Sequence, residues 1–284
     1  LGMASNLTFK GNGELDNGYT VSMVHSMVDN MNAISSSVYT MTMGDLGTIA
    51  IHDGSAGPLA AIDNVMPTAY EEADHGMDTG ASGGLPGAVG NSENIVVFKK
   101  NDLGGSGVNI GIGYSPNVGS GSANDSGNAS NTGKGSGYEM AVTASNFGMD
   151  GLSLGLGHAN INEGSSSAQN DATERTVYAK YAMNNWTFGY QRGVVDLDGA
   201  TEYVSDIFGI SFNINDNMSL SYQNIELEYD VASGTDVTAE YDGISFAYNM
   251  GPLAFKVANS DGDNLGGTTG ATDENTEVSL SLSF

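Results

Sequence analysis

The chain has 284 residues, no Cys, 41 Gly, 13 Tyr and 9 Phe, and with 34 acidic side chains against 8 Lys and Arg its formal charge is -26. Disulfides and thiolate metal sites are excluded. So few cations cannot neutralise many phosphates, which excludes nucleic acid, and no run of about 18 apolar residues could cross a membrane as a helix. The charge points to cations or to a salt-rich medium. The mean hydropathy of -0.19 is what an apolar outside averaged with a polar inside gives, in a transmembrane barrel or in a soluble β-protein.

Leu1-Gly2-Met3-Ala4-Ser5 has neither the basic segment nor the apolar stretch of a signal peptide, so an exported chain would have its N-terminus processed or left out. Period-two alternation then predicts about fifteen strands, at 5–13, 18–27, 36–43, 46–52, 93–100, 107–115, 138–146, 151–159, 173–182, 185–193, 203–213, 217–228, 237–249, 252–259 and 274–284. Leu152, Leu154 and Leu156 alternate with Ser153, Gly155 and Gly157. Trp186, Phe188 and Tyr190 alternate with Thr187, Gly189 and Gln191. Phe208, Ile210, Phe212 and Ile214 alternate with Gly209, Ser211 and Asn213. The second face is small and neutral, where a sandwich against bulk water normally carries Lys and Glu. That suits the wall of a water-filled channel.

The connections alternate in length. Short ones, such as Gly44-Asp45-Leu46-Gly47, Asn146–Gly151, Ile214-Asn215-Asp216-Asn217 and Asn249-Met250-Gly251-Pro252, are interleaved with long polar ones at 28–35, 53–92, 116–137, 160–172, 194–202, 229–236 and 260–273. This is the turn-and-loop asymmetry of outer-membrane barrels. The first connection, around Glu14–Gly18, is short, so fifteen strands begin on the wrong side for closure. Barrels leave no edge and single-chain ones have even strand numbers. The expectation is sixteen strands, with one more and its loop, about 20–30 residues, ahead of Leu1.

The connection at 53–92 exceeds the length of most structureless loops. Ala56–Met66 is apolar enough to pack, Tyr70–Asp78 is acidic, and Gly80–Gly90 is glycine-rich. A packed start and an acidic middle fit a constriction loop whose carboxylates face a lumen. Asp261-Gly262-Asp263-Asn264 spaces oxygen ligands on a turn, so Asp261 and Asp263 are a candidate Ca2+ site, although the rest of an EF-hand is missing. His25, His52, His75 and His158 show no paired spacing, which argues against zinc. No Gly-x-Ser-x-Gly elbow occurs, and no enzyme is expected. The chain closes on Val278, Leu280, Leu282 and Phe284, alternating with Ser279, Ser281 and Ser283 and stopping on the aromatic.

That terminal strand, and the stretch from Met43-Gly44-Asp45-Leu46-Gly47-Thr48 to Ile49-Ala50-Ile51-His52-Asp53-Gly54, resemble the general diffusion porins of Gram-negative bacteria, especially the alphaproteobacterial kind. In organisation the resemblance covers essentially all 284 residues, as one porin β-barrel domain over 1–284. It implies an all-β, transmembrane antiparallel barrel of sixteen strands in the bacterial outer membrane, with 53–92 as the inward-folded third loop. It implies a homotrimer among lipid and lipopolysaccharide, with the short loop Asp29–Ala33 as a latch. The function implied is ion transport and passive diffusion of small hydrophilic solutes. In such porins acids on the loop oppose bases on the wall. Glu71, Glu72, Asp74 and Asp78 are the acids here, and Lys10, His52 and Lys99, inward by strand parity, are the bases. Lys180 and Lys256 also point inward, and Arg192 falls at the rim. The usual Arg cluster is thin, and the acidic excess predicts cation selectivity. The aromatic girdle falls to Tyr39, Phe98, Tyr138, Tyr181, Trp186, Tyr190, Phe246, Tyr248 and Phe284. The rival readings are a substrate-specific channel and a secreted, acidic, Ca2+-binding β-sandwich or adhesin.

Overall fold

A computed structural model describes residues 7–28, 34–53, 57–87, 95–116, 136–162 and 171–282. Phe284 and the expected latch at 29–33 lie outside them. Fifteen strands follow in chain order: β1 (Leu7–Glu14), β2 (Thr20–Met27), β3 (Ile34–Thr42), β4 (Thr48–Asp53), β5 (Ile95–Lys100), β6 (Val108–Ser115), β7 (Gly137–Ser145) and β8 (Leu152–Ile161). They continue with β9 (Ala172–Met183), β10 (Trp186–Leu197), β11 (Thr201–Asn215), β12 (Met218–Val231), β13 (Val237–Met250), β14 (Leu253–Asp263) and β15 (Thr272–Leu282). Each pairs antiparallel with the next in a single sheet, so the architecture is a meander and not two packed layers. Among the described residues β1 and β15 are not paired with each other and the sheet is open. With an odd count these two edge strands run in the same direction. The expected sixteenth strand is not among the described residues.

The alternation that makes these strands also sorts their side chains. One face, called outer below, exposes Ile112, Leu156, Phe188, Phe208, Leu220, Ile244, Leu280 and the predicted girdle residues Tyr39, Tyr138, Trp186 and Tyr190. The inner face carries Ser, Gln, Thr, Gly and a second apolar set, Ile207, Ile225, Leu227 and Tyr241, each fully buried. Gly155 and Tyr178 sit opposite each other on that face. The Tyr178 ring lies over the glycine, in the space a side chain there would fill.

At their upper ends β10 and β14 run four residues further than alternation predicted, and β11 and β12 two or three. The expected loops at 194–202, 229–236 and 260–273 shrink to 198–200, 232–236 and 264–271. Near the upper ends of β11–β14 the outward positions include Asp206, Glu226, Glu240 and Asp263, which register opposite one another across four strands. Asp242, Asp261 and Glu274 form a second such row. Carboxylates end the apolar pattern, but they do not end the backbone ladder, which needs only a paired neighbour. Asp261 and Asp263 therefore stand on the outer face of β14, not on the turn expected for a Ca2+ site. Tyr190 and Tyr222 mark the boundary between the two zones, donating their hydroxyls to Asp206 and to Asp242. Arg192 pairs with Asp206 at 2.6 Å on this outer face, above the apolar belt.

Gly155→Ala pushes a methyl into the Tyr178 ring and should destabilise the protein by about 1–3 kcal/mol, the usual cost of overpacking. Gly11→Ala, whose new carbon meets nothing nearer than the Met23 methyl at 3.9 Å, should not. Urea midpoints of the folded protein in detergent compare the two.

Candidate functional site

The segment 57–87 crosses the inner face of the sheet, and the wall holds it mainly by its backbone. Glu139 on β7 accepts the Leu59 N–H at 2.8 Å, and Glu174 on β9 accepts the Gly87 N–H at 2.6 Å, so a buried carboxylate anchors each end. Between them Gln191 on β10 accepts the Val65 N–H and donates to the carbonyls of Ile62 and Asp63. Ser221 and Gln223 on β12 and Ser245 on β13 accept the N–H groups of Ala69, Ala73 and Tyr70. The far end reaches β15, where Asp273 accepts the Asp78 N–H and Asn275 donates to the His75 carbonyl. Residues read at first as neutral channel lining are thus the acceptors of a buried backbone, which could not stay unpaired without cost.

Sterics match this polar pattern. Gly157 faces Leu59 and Ile62, Gly189 and Gly209 face Met66 and Pro67, and Gly243 faces Ala73. At Gly243 an added carbon would lie 2.6 Å from the Ala73 Cα, so any side chain there must displace the loop backbone itself. Leu59, Ile62, Met66, Ala73, Ala81 and Leu85 join Ile207, Ile225, Leu227 and Tyr241 in one buried apolar cluster. Of the apolar start predicted at 56–66, the described residues from 57 onward do pack, and the glycine-rich limb packs with them through Ala81, Gly84 and Leu85.

The predicted acids do not form one ring. Glu71 is half-buried beside His75 and Glu72 is exposed, and Glu72 shares its surroundings with Asp74, Asp63 and Glu71. Its own surface is exposed, but the wall around it thins the bulk water. That enclosure first, and the three neighbouring charges next, push its carboxyl up to about 7 against a lowering hydrogen bond from Asn64. Burial likewise raises Asp63, an acid the sequence reading did not select. Asp74 turns back into the loop and accepts the Ala81 N–H at 2.8 Å, while Asp78 is exposed beside Asp273. Glu71 and Glu277 flank His75. Tyr70 donates its hydroxyl to Glu277, whose carboxylate pushes the phenol up to about 12.

Of the predicted bases, Lys10 is exposed on the edge strand β1 and His52 is buried on β4. Lys99 lines a cavity of about 500 Å3 beneath the loop, with Pro58, Ile62, Asn109 and Thr143. The loop instead engages Lys180, whose ammonium donates to the Val65 carbonyl at 3.1 Å, and Lys256, which stands 5.0 Å from the Tyr70 ring centre. Strand parity had placed both inward without giving them a role. Glu71, His75 and Glu277 are brought together from positions about 200 residues apart, a grouping no sequence spacing could reveal. Asp261 and Asp263 belong to no cluster of three metal-ligating donors among the described residues.

No protein-family model and no curated protein matches this sequence. The architecture does match solved structures: this chain has the fold of the bacterial porins. The anion-selective porin from Comamonas acidovorans superposes with a TM-score of 0.69 at 16% identity, over 99% of this chain and 90% of that one. Salmonella typhi OmpF, solved with daunomycin, gives 0.67 at 12% identity over 97% and 89%. A mutant of the Rh. blastica porin gives 0.61 at 17% identity over 98% and 89%.

Gly243→Val should lift the acidic limb off β13. The Ala73 amide then loses hydrogen-exchange protection roughly tenfold or more, the equivalent of an overpacking cost of about 1–3 kcal/mol. Gly83→Val, with nothing within 4 Å of the added carbon, should leave that amide as it was.

Proposed function

We propose that the chain is an outer-membrane porin protomer, a water-filled channel for passive diffusion of small hydrophilic solutes that favours cations. The observation that carries this reading is the connection seated across the inner face and carrying its acids into the lumen. The shared fold supports it, as does an outer face that changes from apolar to carboxylate along each of β10–β14. Such a face suits hydrocarbon below and a charged headgroup layer above, with lipid and lipopolysaccharide as its neighbours. Homotrimeric assembly is part of the proposal. The outer face of β2–β4 suits a second copy, with Val21, Met23, Met41, Ile49 and Ile51 around a paired His25, Ser37 and Tyr39.

Selectivity rests on this chain's own charges. The Comamonas porin is anion-selective by name, and 16% identity transfers no such property. Here Asp63, Glu71, Glu72 and Asp74 lie on one limb of the loop, whereas Lys180 is engaged by a backbone carbonyl. Negative potential in a confined lumen concentrates cations and falls with added salt.

Reversal potentials across a salt gradient in planar bilayers test the reading, expected to show stepwise conductance with a cation preference. A carboxyl raised to about 7 is neutral below that pH and charged above it, so the preference should strengthen as pH rises through about 7. Glu72→Gln should remove that step and lower the preference on the alkaline side. A folded protein with no conductance overturns the channel. An unchanged step in Glu72→Gln overturns the role of Glu72.

A further inference from the structure

Where the loop meets β15, three donors of mixed chemistry converge. His75 Nε2 lies 2.6 Å from a Glu277 oxygen, and its Nδ1 lies 3.4 Å from a Glu71 oxygen. One donor atom from each residue falls within 4.8 Å of the other two. The side chains are 40%, 35% and 28% exposed for His75, Glu277 and Glu71, so a hydrated ion can reach them. The loop backbone at His75 is held independently of this contact, by the Asn275 amide on the His75 carbonyl at 3.2 Å and the Asp273 carboxylate on the Asp78 N–H at 2.8 Å, and Glu277 is held by its pairing with β14. The arrangement gathers two carboxylates around one imidazole and leaves the surplus negative charge without a cation of its own. Lys256, the nearby ammonium, is aligned on the Tyr70 ring instead.

We propose that Glu71, His75 and Glu277 form a binding site for a divalent cation of the zinc type, joining the loop to the wall. Imidazole with carboxylate suits Zn2+, whereas Ca2+ and Mg2+ take oxygen ligands. Bonds of about 2.1 Å put neighbouring donors roughly 3–3.5 Å apart, so small rotamer changes at the two glutamates close the site. Each carboxylate meets a different ring nitrogen when the metal is absent. The ion takes one nitrogen, and the carboxylate from the other side shifts round the ring to join it. Lumen water completes the coordination. Resting on the channel reading, a further consequence is that the ion cancels two lumen charges, pins the loop to β15 and reduces cation preference.

Calorimetric titration of the folded full chain with ZnCl2, and separately with CaCl2, at neutral pH tests the site. Zn2+ should bind and Ca2+ should bind far more weakly. His75→Gln and Glu277→Gln should each weaken Zn2+ by at least about tenfold, since even outer-shell partners of a metal are worth 10–100-fold. If either variant fails to fold, Glu71→Gln on the open side of the loop carries the same expectation. No Zn2+ binding by the folded chain, affinity unchanged in His75→Gln, or equal binding of Ca2+ overturns the site and leaves the imidazole as a hydrogen-bonded latch. In bilayers, Zn2+ should lower the reversal potential of the wild-type protein and not that of His75→Gln. Zn2+ binding without conductance would overturn the channel and keep the site; conductance without Zn2+ binding would do the reverse.

Discussion

A stretch of irregular backbone laid across the inside of a sheet must find partners for its N–H and C=O groups, because little water reaches them. That constraint governs the inner wall. Glu139, Gln191, Ser221, Gln223, Ser245 and Glu174 are spread over five strands, and each meets a loop amide. An unmade bond in such a place costs about 1–3 kcal/mol, so the set as a whole fixes the path of the loop. Two of the six are carboxylates, each buried to within 2% of complete. These two stand at the two ends of the described loop, where the path must be fixed.

Close approach is the other half of the same problem. A loop cannot lie within hydrogen-bonding distance of a wall whose intervening side chains hold it off. Gly157, Gly189, Gly209 and Gly243 clear that space, and the loop's Leu59, Ile62, Met66 and Ala73 occupy it. The wall glycines and the apolar loop residues are therefore one feature. Gly in a strand interior weakens the strand and marks a close backbone approach. Here the lost strand packing is replaced by the loop.

Strand positions were legible because the outer face is apolar wherever it is lipid-like, and period two then shows in the sequence. Boundaries differ by a few residues, most at the upper ends of β10 and β14, where Asp196, Asp261 and Asp263 silence the signal while pairing goes on. Parity also set the facing of Lys10, Lys99, Lys180 and Lys256. What parity cannot give is which inward residue meets the loop. Gln191 and Ser221 look like ordinary channel lining until Val65 and Ala69 lie beside them. The turn chemistry of Asp261-Gly262-Asp263 misled for a related reason: Asp and Gly favour turns locally, and cross-strand pairing with β13 overrode that preference. His75 seemed isolated because its partner comes from the last strand.

The charge of -26 separates into two populations with different consequences. Asp206, Glu226, Glu240, Asp263, Asp242, Asp261 and Glu274 stand on the outer face, like charges opposite like, a pairing that destabilises a sheet. Water and counterions make it tolerable, since at physiological ionic strength exposed charges are screened within about 8 Å. The same screening, with the wall between, cuts these residues off from anything crossing the inner face. Asp63, Glu71, Glu72 and Asp74 are few, but they are gathered on one limb of the loop, and enclosure there raises the carboxyls of Asp63 and Glu72. On the proposed channel reading, selectivity follows from how tightly a handful of acids is held over the inner face, not from the total that composition reports. The wall residues that fix the loop backbone decide it as surely as the acids do.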